Sequence, residues 1–257
     1  MAAIDESALR TTPEHDRLSV IRTDYRILRL GLWSVLLYCG FGLVGFAGFA
    51  GFWPPPGPNL SAQEIATYFA DHETRLRIGM VLMSCCGPFY YTWSAVLSRI
   101  VSRIEGPMGI LSTVELLGGL MTGFITTLPG VIWLTVSFRA DQHSPETIST
   151  FYDFGWILFD LTFFFSILQS CALATAILRD RRVQPLFPAW VAWVCLLTAA
   201  SYLPLAFMPA FTTGPLAWNG LVSFWVVFVM FFVMIVAVTP AAFGALKRLE
   251  NEDIPSR

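Results

Sequence analysis

Asp160 and Glu115 are carboxylates set within long apolar runs, and they are the residues of this chain whose type and place could do chemistry. An Asp at the centre of a membrane helix is unfavourable by about 2.5–3.5 kcal/mol on insertion scales. A single substitution removes that cost, so an acid kept there faces something other than acyl chains. Asp153, Trp156 and Asp160 follow at i, i+3 and i+7, on one face of a helix. That face is expected to line a vestibule open to the outside, closed below Asp160 by Phe163, Phe164 and Phe165. Glu115 shares a face with Gly119 and Gly123, a small-residue pair that lets a second helix come close. It is therefore expected to point at a neighbouring helix. Tyr90 and Tyr91 stand just after Gly87-Pro88, and their hydroxyls are candidates to satisfy the carbonyl that the proline frees. The ligand-binding set read from the sequence is Asp153, Trp156, Asp160, Tyr90, Tyr91 and Glu115.

Two loop clusters, Asp71-His72-Glu73 and Asp141, His143, Glu146, contain ligand types for a divalent metal. No tight HxxxH or HExxH spacing supports one, so His72 and His143 read as solvated loop residues and no metal or cofactor is expected. No histidine lies inside an apolar run, which removes paired axial haem ligands. Lys247 is the sole lysine and ends the last run, so a buried Schiff base is not expected. A Walker motif and a regular arginine ladder are likewise missing.

The elements that must hold these residues are set by composition. Of 257 residues, 55% are hydrophobic and 13% charged, about half the charge of a soluble domain. A helix needs about 20 apolar residues to cross the hydrocarbon core. Six runs qualify: 28–52, 76–101, 108–138, 153–178, 187–211 and 221–246. The first is too long and glycine-rich for a signal-peptide core and reads as a retained helix. The expected fold is all-α, a bundle of six transmembrane helices. Residues 1–27 form an N-terminal segment with a basic juxtamembrane helix, 28–247 the membrane domain and 248–257 a tail.

Basic residues orient the bundle. Thirteen lie before the first run, in the even-numbered turns and in the tail, against Arg75, Arg77 and Arg139 on the other side. Both termini are therefore expected in the cytoplasm. Thr12-Pro13-Glu14 reads as a helix start, and Arg22, Arg26 and Arg29 form a basic stripe that suits anionic headgroups. WPPPGP at 53–58 takes the chain stiffly out of the first span. Ser61 and Glu64 match a capping box before Ile65, Tyr68 and Phe69, predicting a short amphipathic helix on the outer surface. Ser144-Pro145-Glu146 starts a helix expected to run unbroken into the fourth span. The five cysteines all fall in apolar runs and imply no disulfide framework.

Three readings of function follow. The first is a multi-pass protein of the bacterial plasma membrane that binds or transports a hydrophobic or weakly polar small molecule, with proton coupling through its buried carboxylates. The second is a membrane-embedded enzyme using Asp160 or Glu115 as a general acid on a lipid or isoprenoid. The third is a helix-packing subunit of a homo-oligomer or larger membrane complex. Membrane lipids are expected partners and nucleic acid is not.

Overall fold

Long apolar runs leave the main chain one way to satisfy itself in hydrocarbon, by hydrogen-bonding within each segment. The computed structural model describes residues 14–106 and 109–253, and every regular element in those residues is helical. The elements are α1 (Glu14–Leu43), α2 (Ala62–Asp71), α3 (Glu73–Glu105), α4 (Ile110–Phe138), α5 (Pro145–Leu161), α6 (Phe163–Arg179), α7 (Ala189–Tyr202) and α8 (Val227–Asp253). Counting α5 and α6 as one, and α7 together with the 3-10 helical stretch Leu203–Ala210 that continues it, six helices are long and apolar enough to cross a membrane, the make-up of an integral membrane protein. Large apolar side chains such as Trp33, Leu36, Phe164 and Val236 are exposed on the outside of the bundle, as a lipid-facing surface requires. The predicted helix start at Thr12-Pro13 and the basic side chain of Arg22 lie outside the residues whose placement is described.

The helices α3 and α4 cross closely at glycines. A Cβ on Gly87 would lie 2.6 Å from the Gly123 carbonyl oxygen, and one on Gly123 would lie 2.9 Å from that of Gly87. Only hydrogens fit between the two backbones there. Two wide turns occur where α1 and α8 approach the same end of the bundle. A π-helical turn, Val44–Phe49, extends α1, and another, Leu221–Val226, precedes α8. The first turns Phe46 into the bundle, where it is 4% exposed.

The end carrying α2 is closed by aromatic rings. Phe46, Phe52, Trp133, Tyr152, Trp156 and Phe224 belong to one buried cluster. Instead of leaving stiffly, the WPPPGP segment lies across it. The Pro56 carbonyl accepts hydrogen bonds from Tyr152 Oη at 2.8 Å and Trp218 Nε1 at 3.0 Å. The capping box at Ser61 and Glu64 is formed, with the Ser61 N–H donating to Glu64 Oε2 at 2.8 Å and the Glu64 N–H to Ser61 Oγ at 3.3 Å. Ile65 and Phe69 on α2 are buried in the same aromatic cluster, so the bundle covers the face that the sequence suggested would meet the membrane surface.

The opposite end gathers charge. Asp253 accepts from Tyr25 Oη at 2.7 Å and from both terminal nitrogens of Arg103 at 2.9 and 2.7 Å. Arg29 pairs with Glu250, and Arg182 pairs with Glu252 at 3.2 Å. These bonds bring the start of α1 and the end of α8 to the same end of the bundle.

Candidate functional site

The helix that starts at Ser144-Pro145 runs without a break into the fourth span, as expected, and divides within that span beside Asp160. Thr162 sits between α5 and α6 with φ −89° and ψ 10°, and its N–H bonds to the Asp160 carbonyl. Its hydroxyl donates to the Leu158 carbonyl at 2.7 Å. A threonine bonded back to its own preceding turn favours such a division. No proline or glycine marks the place, which is why the sequence pattern passes over it.

Asp160 is 5% exposed. It lines a cavity of about 120 Å³ at the meeting point of all six spans. The other walls include Tyr38 and Phe46 from α1 and its π turn, Thr122 from α4, Tyr202 from α7 and Phe231 from α8. Asp160 Oδ2 is buried with no hydrogen-bond partner among the described residues. A polar atom left unpaired in an apolar interior is costly.

Trp156 is fully buried with rings on several sides, 5.0 Å from Trp133 and stacked at 6.2 Å on Trp218. Rings occupy the space that an open vestibule above Asp160 would need. Asp153 is half-buried and stands outside the cavity wall. Of the three phenylalanines expected below Asp160, Phe163 lines the cavity, while Phe164 is 57% exposed and points out of the bundle.

Glu115 belongs to a second polar group. Its Oε1 accepts from Ser94 Oγ on α3 at 2.9 Å and from Gln169 Nε2 on α6 at 3.1 Å. Tyr90 Oη donates to Gln169 Oε1 at 2.9 Å, so the Tyr90 hydroxyl serves Gln169 and not the chain break at Pro88. Gly119 makes the room: a Cβ there would lie 1.9 Å from Ser94 Oγ. Glu115 Oε2, like Asp160 Oδ2, has no partner among the described residues. Glu115 is seven residues before Thr122 at the cavity wall, about 10 Å along α4. Between them, Thr122 Oγ1 and Ser166 Oγ lie 2.9 Å apart. Tyr91 packs its ring against Gly123 and lines neither group.

Sequence reasoning passed over Gln169, Ser94, Thr122 and Ser166. A signal was there: Glu115 and Thr122 fall seven residues apart on α4, and Ser166 and Gln169 three apart on α6, so each helix carries a polar stripe. Among the loop candidates, His72 Nδ1 is 2.9 Å from the Tyr68 carbonyl oxygen and the ring stacks on Tyr68. Among the described residues no cluster of three or more His, Cys, Asp or Glu is placed to hold a metal. The five cysteines are free.

The chain matches no protein-family model, no curated protein and no solved structure.

Proposed function

We propose that the chain binds and carries a small, largely apolar molecule in its central cavity, with both termini in the cytoplasm. The observation that carries the reading is a cavity between the spans, walled largely by apolar and aromatic side chains and lined by Asp160, a buried carboxylate with no hydrogen-bond partner for its Oδ2 among the described residues. The cavity's size, about 120 Å³, is close to the ~150 Å³ of an engineered apolar cavity that takes up benzene. A molecule built on one six-membered ring is therefore the right scale. Leu43 lines the cavity and is 37% exposed on the bundle's outer surface, which favours entry sideways from the bilayer. Against an acid-catalysed reaction that uses two carboxyl groups stands the position of Glu115, one network away from the cavity, which leaves Asp160 without a second carboxylate among the described residues beside the same space.

Gly42 supplies the test. It lines the cavity, and a Cβ there meets nothing within 4 Å, so Gly42→Leu fills the space without striking the backbone. In lipid nanodiscs, the wild type is expected to bind radiolabelled benzyl alcohol saturably, above protein-free nanodiscs, and Gly42→Leu to bind none. Equal binding by the two overturns the reading, as does a wild type that binds no one-ring probe, neutral or cationic.

A further inference from the structure

We infer that the molecule held at Asp160 is a lipophilic organic cation, an alkyl or aryl ammonium ion, an inference that rests on the binding role proposed above. Three features of the cavity point the same way. The first is charge. Among the described residues no Arg, Lys or His lines the cavity, and an ionised carboxylate in apolar surroundings needs a counter-charge or a full set of hydrogen bonds. Asp160 Oδ2 has no partner among the described residues. The counter-charge is then a proton or a ligand cation.

The second feature is the wall. Tyr38, Phe46, Phe159, Phe163, Tyr202 and Phe228 all line the cavity, with Phe231 and Phe232 beside them. Aromatic faces attract cations through the ring quadrupole, most strongly where water is excluded. A proton on Asp160 makes no use of these rings, whereas an ammonium ion is held by the carboxylate and the rings together.

The third is the direction of the remaining hydrogen bonds. Thr122, Thr126 and Thr162 line the cavity, and their hydroxyls donate to main-chain carbonyls at 2.8, 2.8 and 2.7 Å. Their hydrogens are spent, and each has only acceptor capacity left to offer. A carboxylate set among rings and threonine hydroxyls that already donate elsewhere suits a ligand whose polar end donates and is positive. It disfavours an anion and gives no advantage to a neutral alcohol.

Benzylamine, an ammonium ion at neutral pH, and benzyl alcohol share size and shape and differ in charge. Each is titrated against radiolabelled benzyl alcohol on the protein in uncharged-lipid nanodiscs. Benzylammonium is expected to bind more tightly than the alcohol by about tenfold or more. In Asp160→Asn that preference disappears, and in Phe231→Leu it shrinks. The wild-type comparison alone decides the question should a variant fail to fold. If the alcohol binds as well as the ammonium ion, the cation inference fails while the binding site stands. A preference kept undiminished in Asp160→Asn also overturns it. Saturable binding of neither compound overturns both this inference and the function on which it rests.

Discussion

Gln169 joins the buried polar side chains of α3, α4 and α6. Tyr90 donates to its oxygen at 2.9 Å, and this sets its amide nitrogen toward Glu115 at 3.1 Å. Remove the acceptor and the donors suffer: Glu115→Leu leaves the Gln169 amide and the Ser94 hydroxyl in a dry interior with only long bonds, to each other and to the residue 115 carbonyl, at 3.4 Å. The expected loss is about 1–3 kcal/mol of stability, read by unfolding in mixed micelles. Glu115→Gln keeps an accepting oxygen and is expected to lose less. Adding Gln169→Leu to Glu115→Leu is expected to restore little, because it strands the Tyr90 hydroxyl in place of the Gln169 amide. Equal losses for Glu115→Leu and Glu115→Gln would mean that the network contributes nothing. Glu115 was conspicuous in the sequence because charge in an apolar run is rare. Gln169 was not, since an uncharged amide carries no charge to mark it within an apolar run.

Among the elements, the close crossing of α3 and α4 is the most exacting contact. Gly123→Leu would place its Cβ 2.4 Å from the Tyr91 ring and 2.9 Å from the Gly87 carbonyl oxygen. It is expected to destabilise by roughly 1–3 kcal/mol, the usual range for overpacking. Gly244→Ala in α8 is its counterpart: a Cβ there meets nothing within 4 Å. That change is expected to stabilise by about 0.5–1 kcal/mol, since alanine is the better helix former. Thermal unfolding of the two variants side by side checks both signs. The short α2 offers a pH test. The Ser61 N–H and hydroxyl beside Glu64 hold its carboxyl below the usual range. A depressed folded-state pKa stabilises above the unfolded value, and that contribution is lost as pH falls through the folded one. Amide exchange along α2 is therefore expected to quicken, relative to the rest of the bundle, as the solution is acidified through the carboxylate range. Ser61→Ala should weaken that dependence, and an unchanged profile would mean the box does not hold the helix. The box was legible because its spacing is local. The covering of Ile65 and Phe69 by rings from other spans was not.

For the whole molecule, the charged end ties α1, α3 and α8 through Asp253. Asp253→Asn removes the carboxylate that Tyr25 and Arg103 share, and about 1 kcal/mol of salt-sensitive stability is expected to go with it. Unfolding midpoints at low and high salt measure that loss, and a midpoint equally shifted at both would point to packing instead. Sidedness is tested on the same scale. In a cysteine-free background, a cysteine at Asn251 is expected to react with an impermeant maleimide from the cytoplasmic side. One at Gln63 should react from the opposite side. The reverse pattern would invert the proposed orientation.

By itself the sequence determined the number of crossings, their approximate limits, the all-helical fold and the two acids worth following. These are local properties: hydropathy is read within one segment, and hydrocarbon forces each segment to satisfy its own backbone as a helix. Tertiary structure alone decided that Asp160 faces a cavity while Glu115 is bound into a separate network. It also placed rings where a vestibule had been expected and brought Gln169 to Glu115. Helices in lipid gain little from hiding apolar faces, so their arrangement rests on close packing at small residues and on polar pairs between distant segments. Neither leaves a periodic mark in the hydropathy of a single span.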